Sequence, residues 1–159
     1  MSKEVKIRET SCGLLMYSQK DGELKVFLVH PGGPFFKNRD EGYWSIPKGL
    51  PEGNEDYLDA AKREFEEETN IKPEGEFIPL GSILQKNKKQ VHAWAFEMNI
   101  DAESKFECHS LFEMEWPPRS GRKQKFPEVD NGKFFDIETA KIKMNSAQVE
   151  FLEKLKNFT

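Results

Sequence analysis

Only two cysteines, Cys12 and Cys108, occur in 159 residues, so no disulfide framework of the kind that staples small secreted domains is available. Both are expected to be reduced thiols of a cytoplasmic protein. Long apolar runs are missing too, and none approaches the roughly 20 residues that a membrane-spanning helix needs. The stretch Met1 to Thr10 is charged and holds no apolar h-region, so neither a signal peptide nor a membrane partner is expected. Neither sign of charge dominates: 24 Lys and Arg stand against 28 Asp and Glu, a net charge of −4. With 33% charged residues, that balance describes an ordinary soluble protein and excludes a nucleic-acid coat or a disordered tail. Repeats, low-complexity linkers and internal boundaries are also lacking. One domain over residues 1–159, long enough to bury a core, is the expectation.

The remaining pattern is that of strands interleaved with helices. Cys12 to Tyr17 and Leu24 to Val29 are apolar runs separated by Gln19-Lys20-Asp21-Gly22, which reads as a hairpin. His30 to Gly42, with Pro31-Gly32-Gly33-Pro34, reads as loop, and Tyr43 to Ile46 as a short strand leading into Pro47-Lys48-Gly49. Leu58, Ala61 and Phe65 form the apolar stripe of a helix over Asp56 to Thr69, with Asn54 or Asp56 as its cap. Further strands are expected over Phe77 to Gln85, Val91 to Met98, Leu111 to Trp116 and Lys133 to Ile137, and a closing helix over Ala147 to Phe158. In Val91 to Met98 both alternating faces are apolar, so that strand is expected to be covered on both sides. The order gives a mixed sheet between helical layers.

The helix over Asp56 to Thr69 carries the chemistry. Gly49 is followed by Glu55 and then by Arg63-Glu64-Phe65-Glu66-Glu67-Glu68-Thr69-Asn70-Ile71. Glu64, Glu67 and Glu68 fall at i, i+3 and i+4, on one helical face where like charges repel. A hard divalent cation offsets that repulsion, because Mg²⁺ and Mn²⁺ prefer carboxylate oxygens. Taken alone, the cluster also suits a solvated acidic face with Lys62 and Arg63 as partners. Gly49, Glu55 and Arg63 in register argue against that plainer account.

The string resembles the Nudix box, the signature of hydrolases that act on nucleoside diphosphates linked to another moiety. Asn70 stands where the family has Gly, and Asn is the next-best residue for a left-handed helix end. Similarity extends along the chain: Gly13-Leu14-Leu15-Met16-Tyr17, His30 to Pro34, Trp44 to Gly49 and Trp116 to Gly121 look like a bacterial subgroup of nucleotide pyrophosphohydrolases. The resemblance implies an α/β/α sandwich with a central mixed sheet. It implies that Glu64, Glu67 and Glu68 hold one or more Mg²⁺ or Mn²⁺ ions, with backbone carbonyls at Gly49 as further ligands. It also implies that Arg63 orients a catalytic Glu through an ion pair and that Glu55 supports the loop. The general base is either a box carboxylate or a Glu from a late acidic loop. Phe126-Pro127-Glu128-Val129-Asp130 has that layout, which makes Glu128 a candidate for base or fourth metal ligand, set against an exposed loop carboxylate. Glu113 and Glu115 are weaker candidates.

Trp116-Pro117-Pro118-Arg119-Ser120-Gly121-Arg122-Lys123-Gln124-Lys125 forms an electropositive loop. Arg119, Arg122 and Lys123 are candidates to grip a polyphosphate over the metal site, set against a merely solvated loop. Lys48, pinned beside Gly49, is the better placed phosphate contact. His92 is either packed or turned to the cleft, and Tyr43 and Trp44 either stack on a base or belong to the core.

The reading is metal-dependent hydrolysis of a phosphoanhydride in a nucleotide-type small molecule, a nucleoside triphosphate or dinucleoside polyphosphate before a capped RNA end or a diphosphoinositol phosphate. The marks of ADP-ribose, diadenosine polyphosphate and coenzyme A enzymes are missing; Gln85-Lys86-Asn87 and Lys88-Lys89 stand where the first two carry a Pro and a Tyr. The alternative is a non-catalytic Nudix-like module that binds a nucleotide and regulates something else. Sequence-specific nucleic-acid binding is not expected, since the total charge is acidic and no aromatic-basic surface pattern is visible. Nudix domains often dimerise, so a homodimer stays open.

Overall fold

A computed structural model describes residues 6–159. Its core is a six-stranded sheet in the order β4 (Ile78–Leu84), β5 (Lys89–Glu97), β1 (Glu9–Ser18), β2 (Lys25–Pro31), β8 (Val129–Asp136), with β3 (Lys48–Gly49) also pairing β1. The first hairpin is β1 (Glu9–Ser18) and β2 (Lys25–Pro31), joined by a 3₁₀ turn whose Asp21 and Gly22 both take positive φ. The two-residue β3 (Lys48–Gly49) lies antiparallel to β1 at Cys12 and Gly13. Tyr43 to Ile46, expected as a strand, contributes only bridges, Ser45 to Val29 and Trp44 to Met144. After helix α1 (Tyr57–Thr69) come β4 (Ile78–Leu84) and β5 (Lys89–Glu97), and β5 runs parallel to β1 in the middle of the sheet.

The double-sided cover expected for β5 is present. Val91, Ala93 and Ala95 face a core made with Leu15, Leu28 and the C-terminal helices α3 (Ile137–Lys143) and α4 (Val149–Lys156), including Ala140, Phe151, Leu152 and Leu155. Phe96 faces the opposite core with Leu14, Met16, Phe27, Ala61 and Phe65 under α1. The mixed sheet is thus sandwiched between helices. Each fully buried side chain of Phe65 type contributes about 1.5–3 kcal/mol, which fixes α1 firmly against the sheet.

Further elements depart from the sequence reading, α3 among them, a helix that starts where the expected strand Lys133 to Ile137 ends. A short helix, α2 (Ala102–Lys105), was not signalled. The basic stretch read as a loop is in part a strand: β6 (Leu111–Glu115) and β7 (Lys123–Pro127) form a separate two-stranded hairpin, with Glu113 opposite Lys125 and Glu115 opposite Lys123. From β7 the chain passes through Glu128 into β8 (Val129–Asp136), which pairs β2. Among the described residues no helix is long and apolar enough to cross a membrane. Cys12 is buried, Cys108 is half-buried, and both are free thiols.

Candidate active site

Helix α1 is locally determined at both ends. Asp56 caps it, its carboxylate accepting from the backbone N–H of Leu58 at 3.1 Å and of Asp59 at 3.3 Å. Asn70 closes it at φ 64° and ψ 22°, the left-handed conformation that the Gly-to-Asn exchange left accessible. The carbonyls of the last turn find partners in the segment before β6: His109 N donates to Glu67 O at 2.7 Å, and Glu107 N to Thr69 O at 3.1 Å. That segment continues to Ser110, whose carbonyl accepts from Glu128 N at 2.8 Å, while Gly32 N donates to Glu128 O at 2.9 Å. A side chain at Gly32 would overlap the Pro127 carbonyl, so the Gly allows the end of β2 to lie against this corner. Glu128 is therefore placed by backbone on both sides.

These elements enclose a cleft of about 420 Å³ lined by Lys48, Gly49, Glu52, Glu64, Glu68, Ser110 and Glu128 among others. Residues that are far apart in sequence, at the β3 turn, on α1 and after β7, meet here. Glu68 is only 5% exposed and accepts from Lys48 N at 3.1 Å. Burial pushes its carboxyl well above the ordinary range, partly opposed by the Lys48 charge, and Glu64 and Glu128 add repulsion. Burial likewise raises Glu64, against the pull of Arg63; Glu128 is an exposed residue by surface area, yet the part of it facing the cleft is desolvated enough to raise its carboxyl, against the pull of Lys48. For Lys48 burial lowers the ammonium, with Glu68 opposing. A Cβ on Gly49 would collide with the Glu64 carboxyl group, so Gly is needed to let that carboxylate lie against the β3 backbone.

Arg63 organises the acidic face rather than the cleft floor. Its Nε and Nη2 hold the two oxygens of Glu55, each at 3.0 Å. Nη1 donates to Glu64 Oε1 at 2.8 Å and to Glu67 at 3.3 Å, and Nη2 reaches the Leu50 carbonyl at 2.9 Å. Glu55 is held below the usual carboxylate range by this guanidinium. The fork thus ties the loop after Gly49 to the helix. Glu64 keeps Oε2 without a hydrogen-bond partner among the described residues.

The residue set suits a hard divalent cation. Glu64, Glu68 and Glu128 give oxygen donors on one cleft, each disfavoured as an anion by burial and, at Glu64 and Glu68, by neighbouring carboxylates. Among the described residues they do not close into a ready cage; Lys48 and Arg63 hold part of their charge. Glu67 points to Arg63 and does not line the cleft.

The structure separates the other candidates. Arg119, Arg122 and Lys123 are exposed at the far end of the β6–β7 hairpin and line no part of the cleft. Glu113 and Glu115 belong to that hairpin, and Glu115 accepts from Gly121 N at 2.8 Å. His92 stacks on Trp94 with ring centroids 4.7 Å apart and meets Tyr57, its imidazole lowered by burial. Trp44 is core, edge-on to Phe135 and bonded to Asp40. Tyr43 is 40% exposed and lines a second pocket of about 330 Å³ with Phe36, Gln85, Asn87, Asn145 and, on the side shared with the cleft, Lys48. Ser110 and these amides were not found by sequence reasoning, because single polar residues in separate elements give no spacing signal.

Known proteins share this fold. The C. elegans Ap4A hydrolase in a binary complex superposes with a TM-score of 0.65 at 22% identity, covering 94% of this chain and 96% of that one. The NUDIX domain of Shewanella oneidensis NrtR, complexed with ADP ribose, gives 0.67 at 14% identity over 96% and 89%. A mutT/nudix family protein from Listeria innocua gives 0.62 at 18% identity over 96% and 94%. No curated protein matches the sequence. At such identities these structures bear on the fold alone. The NUDIX domain family model, by contrast, matches residues 8–155, nearly the whole chain. With Glu64 and Glu68 of α1 lining one cleft beside Gly49, the chain belongs to the Nudix hydrolase family of pyrophosphohydrolases.

Proposed function

We propose that this protein hydrolyses a phosphoanhydride bond in a nucleoside polyphosphate, a nucleoside triphosphate or dinucleoside polyphosphate, with Mg²⁺ or Mn²⁺. The observation that carries this reading is the cleft shared by Glu64, Glu68, Glu128 and Lys48. Glu64, Glu68, Glu128 and the Gly49 carbonyl would hold the ion, which when bound neutralises phosphate charge and acidifies a water. Lys48 meets a phosphate oxygen as a point charge. Arg63 holds Glu64 and Glu67 in fixed rotamers. Glu128 or Glu64, both lining the cleft with raised carboxyls, accepts the proton of the attacking water. Positioning and charge neutralisation supply most of the rate.

The second pocket supports a nucleotide. Gln85, Asn87 and Asn145 each engage the amide oxygen within the protein, with Gln148 Nε2, Lys89 N and Ala147 N respectively. Their NH₂ groups remain to donate, and Tyr43 and Phe36 offer ring faces. Donors beside aromatic faces suit the acceptor-rich edge of a base. A panel of nucleoside triphosphates (oxidised ones included), dinucleoside polyphosphates, ADP-ribose, capped RNA and diphosphoinositol phosphates, with products resolved by chromatography, tests the reading. Turnover of one nucleoside polyphosphate class that stops with chelator and in Glu64→Gln is expected. Tight nucleotide binding without any turnover would establish the regulatory module instead.

A further inference from the structure

Part of the basic stretch is left over by the function just proposed. Arg119, Arg122 and Lys123 sit at the tip of the β6–β7 hairpin, whose root is the cleft wall at Ser110 and Glu128. Five residues of extended chain separate Lys123 from Glu128, roughly 16 Å at about 3.3 Å per residue. A nucleotide with its anhydride at the carboxylates and its base beside Tyr43 does not reach that tip.

What lies between is an exposed aromatic path. Phe36 lines the second pocket and packs near Tyr43, ring centroids 6.1 Å apart, with the Arg39 guanidinium 5.8 Å from the Tyr43 ring. The adjacent Phe35 is 63% exposed and meets Trp116 edge-on at 5.6 Å. Trp116 opens the turn that carries Arg119 and Arg122. Phe112 of the same hairpin packs on Gly33, where an added Cβ would strike its ring, so the hairpin is fixed alongside the 33–43 loop. Acids offset this path only in part: Glu41 belongs to the 35–43 loop, and the Glu115 carboxylate accepts from Gly121 N in the turn. Glu113 and Glu115 stand opposite Lys125 and Lys123, Arg119 and Arg122 at the tip form no ion pair among the described residues, and Asp40 is bound by Lys143 and Trp44.

We propose that the aromatic and cationic surface made by the 35–43 loop and the β6–β7 tip binds single-stranded nucleic acid whose 5′ polyphosphate end lies in the carboxylate cleft. Ring faces that accept any base, interleaved with cations that track phosphates, are the physical pattern of sequence-tolerant strand binding. The pattern is invisible in sequence because Phe35 and Trp116 come from segments far apart in the chain. The proposal rests on the hydrolytic reading for the position of the 5′ end, but its test needs no turnover.

Fluorescence anisotropy with a short, 3′-labelled, 5′-triphosphorylated single strand, in chelator, measures the platform directly. Phe35→Ala is expected to weaken binding about 10-fold, as loss of one stacked base does, and Phe35→Trp to restore it. Arg119→Gln with Arg122→Gln is expected to lower the slope of log K against log salt by about 1.4. The Michaelis constant for a free nucleoside triphosphate stays unchanged in Phe35→Ala. Circular dichroism confirms that the variants fold. Wild-type affinity in all of them, equal affinity for duplex, or binding to anionic vesicles in place of the oligonucleotide would each overturn the proposal. Oligonucleotide binding with these variant effects, but no hydrolysis of any substrate, would support it while defeating the hydrolytic reading. Hydrolysis without oligonucleotide binding would do the reverse.

Discussion

Replacement of Arg63 by Lys is the sharpest perturbation of the site, because it keeps the charge and removes the fork. In the native protein one guanidinium contacts Glu55, Glu64, Glu67 and the Leu50 carbonyl at once. An ammonium is a point donor on a flexible stem and cannot span those directions together. The Glu64 bond and the Leu50 bond are charge-assisted, each about 1.5–3 kcal/mol in sheltered positions. The Arg63 side chain is 22% exposed, so their joint loss is set lower, at about 2–4 kcal/mol after solvent screening. For a chain of this size that is a fall in Tm of about 6–12 °C at ~3 °C per kcal/mol. Glu64 and Glu67 would then sample several rotamers, and kcat is expected to fall on the order of 100-fold, with the Michaelis constant changed little. Differential scanning calorimetry and steady-state kinetics on the same preparations give both numbers. Wild-type Tm and kcat in Arg63→Lys would show that the fork organises nothing, and the positioning role would have to be abandoned.

Gly49→Ala forces Glu64 out of its place against the β3 backbone; turnover should drop at least about 100-fold and Mn²⁺ affinity should weaken in titration calorimetry, while the circular dichroism spectrum persists. Asp56→Ala removes the α1 cap, at a cost of about 1 kcal/mol, read as a Tm lower by about 3 °C with unchanged metal affinity. The pH dependence follows from Glu64, Glu68 and Glu128, all raised above the ordinary 4.5. Groups raised in the folded state bind more protons there than in the unfolded chain, so stability falls as pH climbs from 4.5 towards neutrality. Metal-free protein should therefore melt higher near pH 5 than near pH 7, and saturating Mn²⁺ should flatten the difference. Asp40 and Asp136, held below their usual range by Lys143 and by Thr139, oppose this only at more acidic pH. A metal-free melting temperature that rises steadily from pH 5 to 7 would contradict the charge burial described for the cleft.

The features read correctly from sequence are those set by local rules. The α1 cap, expected at Asn54 or Asp56 and found at Asp56, the left-handed end at Asn70 and the common face of Glu64, Glu67 and Glu68, from which Glu67 turns to Arg63, all follow from residues within one or two turns of each other. The two-sided burial of β5 followed from alternation alone. What stayed hidden depends on partners distant in the chain. Pro117, Pro118 and Gly121 made 116–125 look like loop, yet Lys123 to Pro127 is held as a strand by β6. Trp44 and Tyr43 are neighbours with opposite fates, one buried by Phe135 and His30 and the other facing a pocket, and local sequence cannot divide them. Likewise Arg119, Arg122 and Lys123, expected to grip a polyphosphate, lie outside the cleft lining, a consequence of hairpin length rather than of composition.

The anchoring of Glu128 has an evolutionary corollary. Its amide and carbonyl are fixed by Ser110 and Gly32 at the root of the β6–β7 hairpin, so the outer part of that hairpin is mechanically uncoupled from the carboxylate. Residues 116–122 could be lengthened, shortened or recoded without moving a ligand oxygen, as exposed loop tips commonly tolerate. Substrate reach and bond cleavage can then drift independently, and relatives with the same cleft would acquire new clientele by trading one hairpin tip for another.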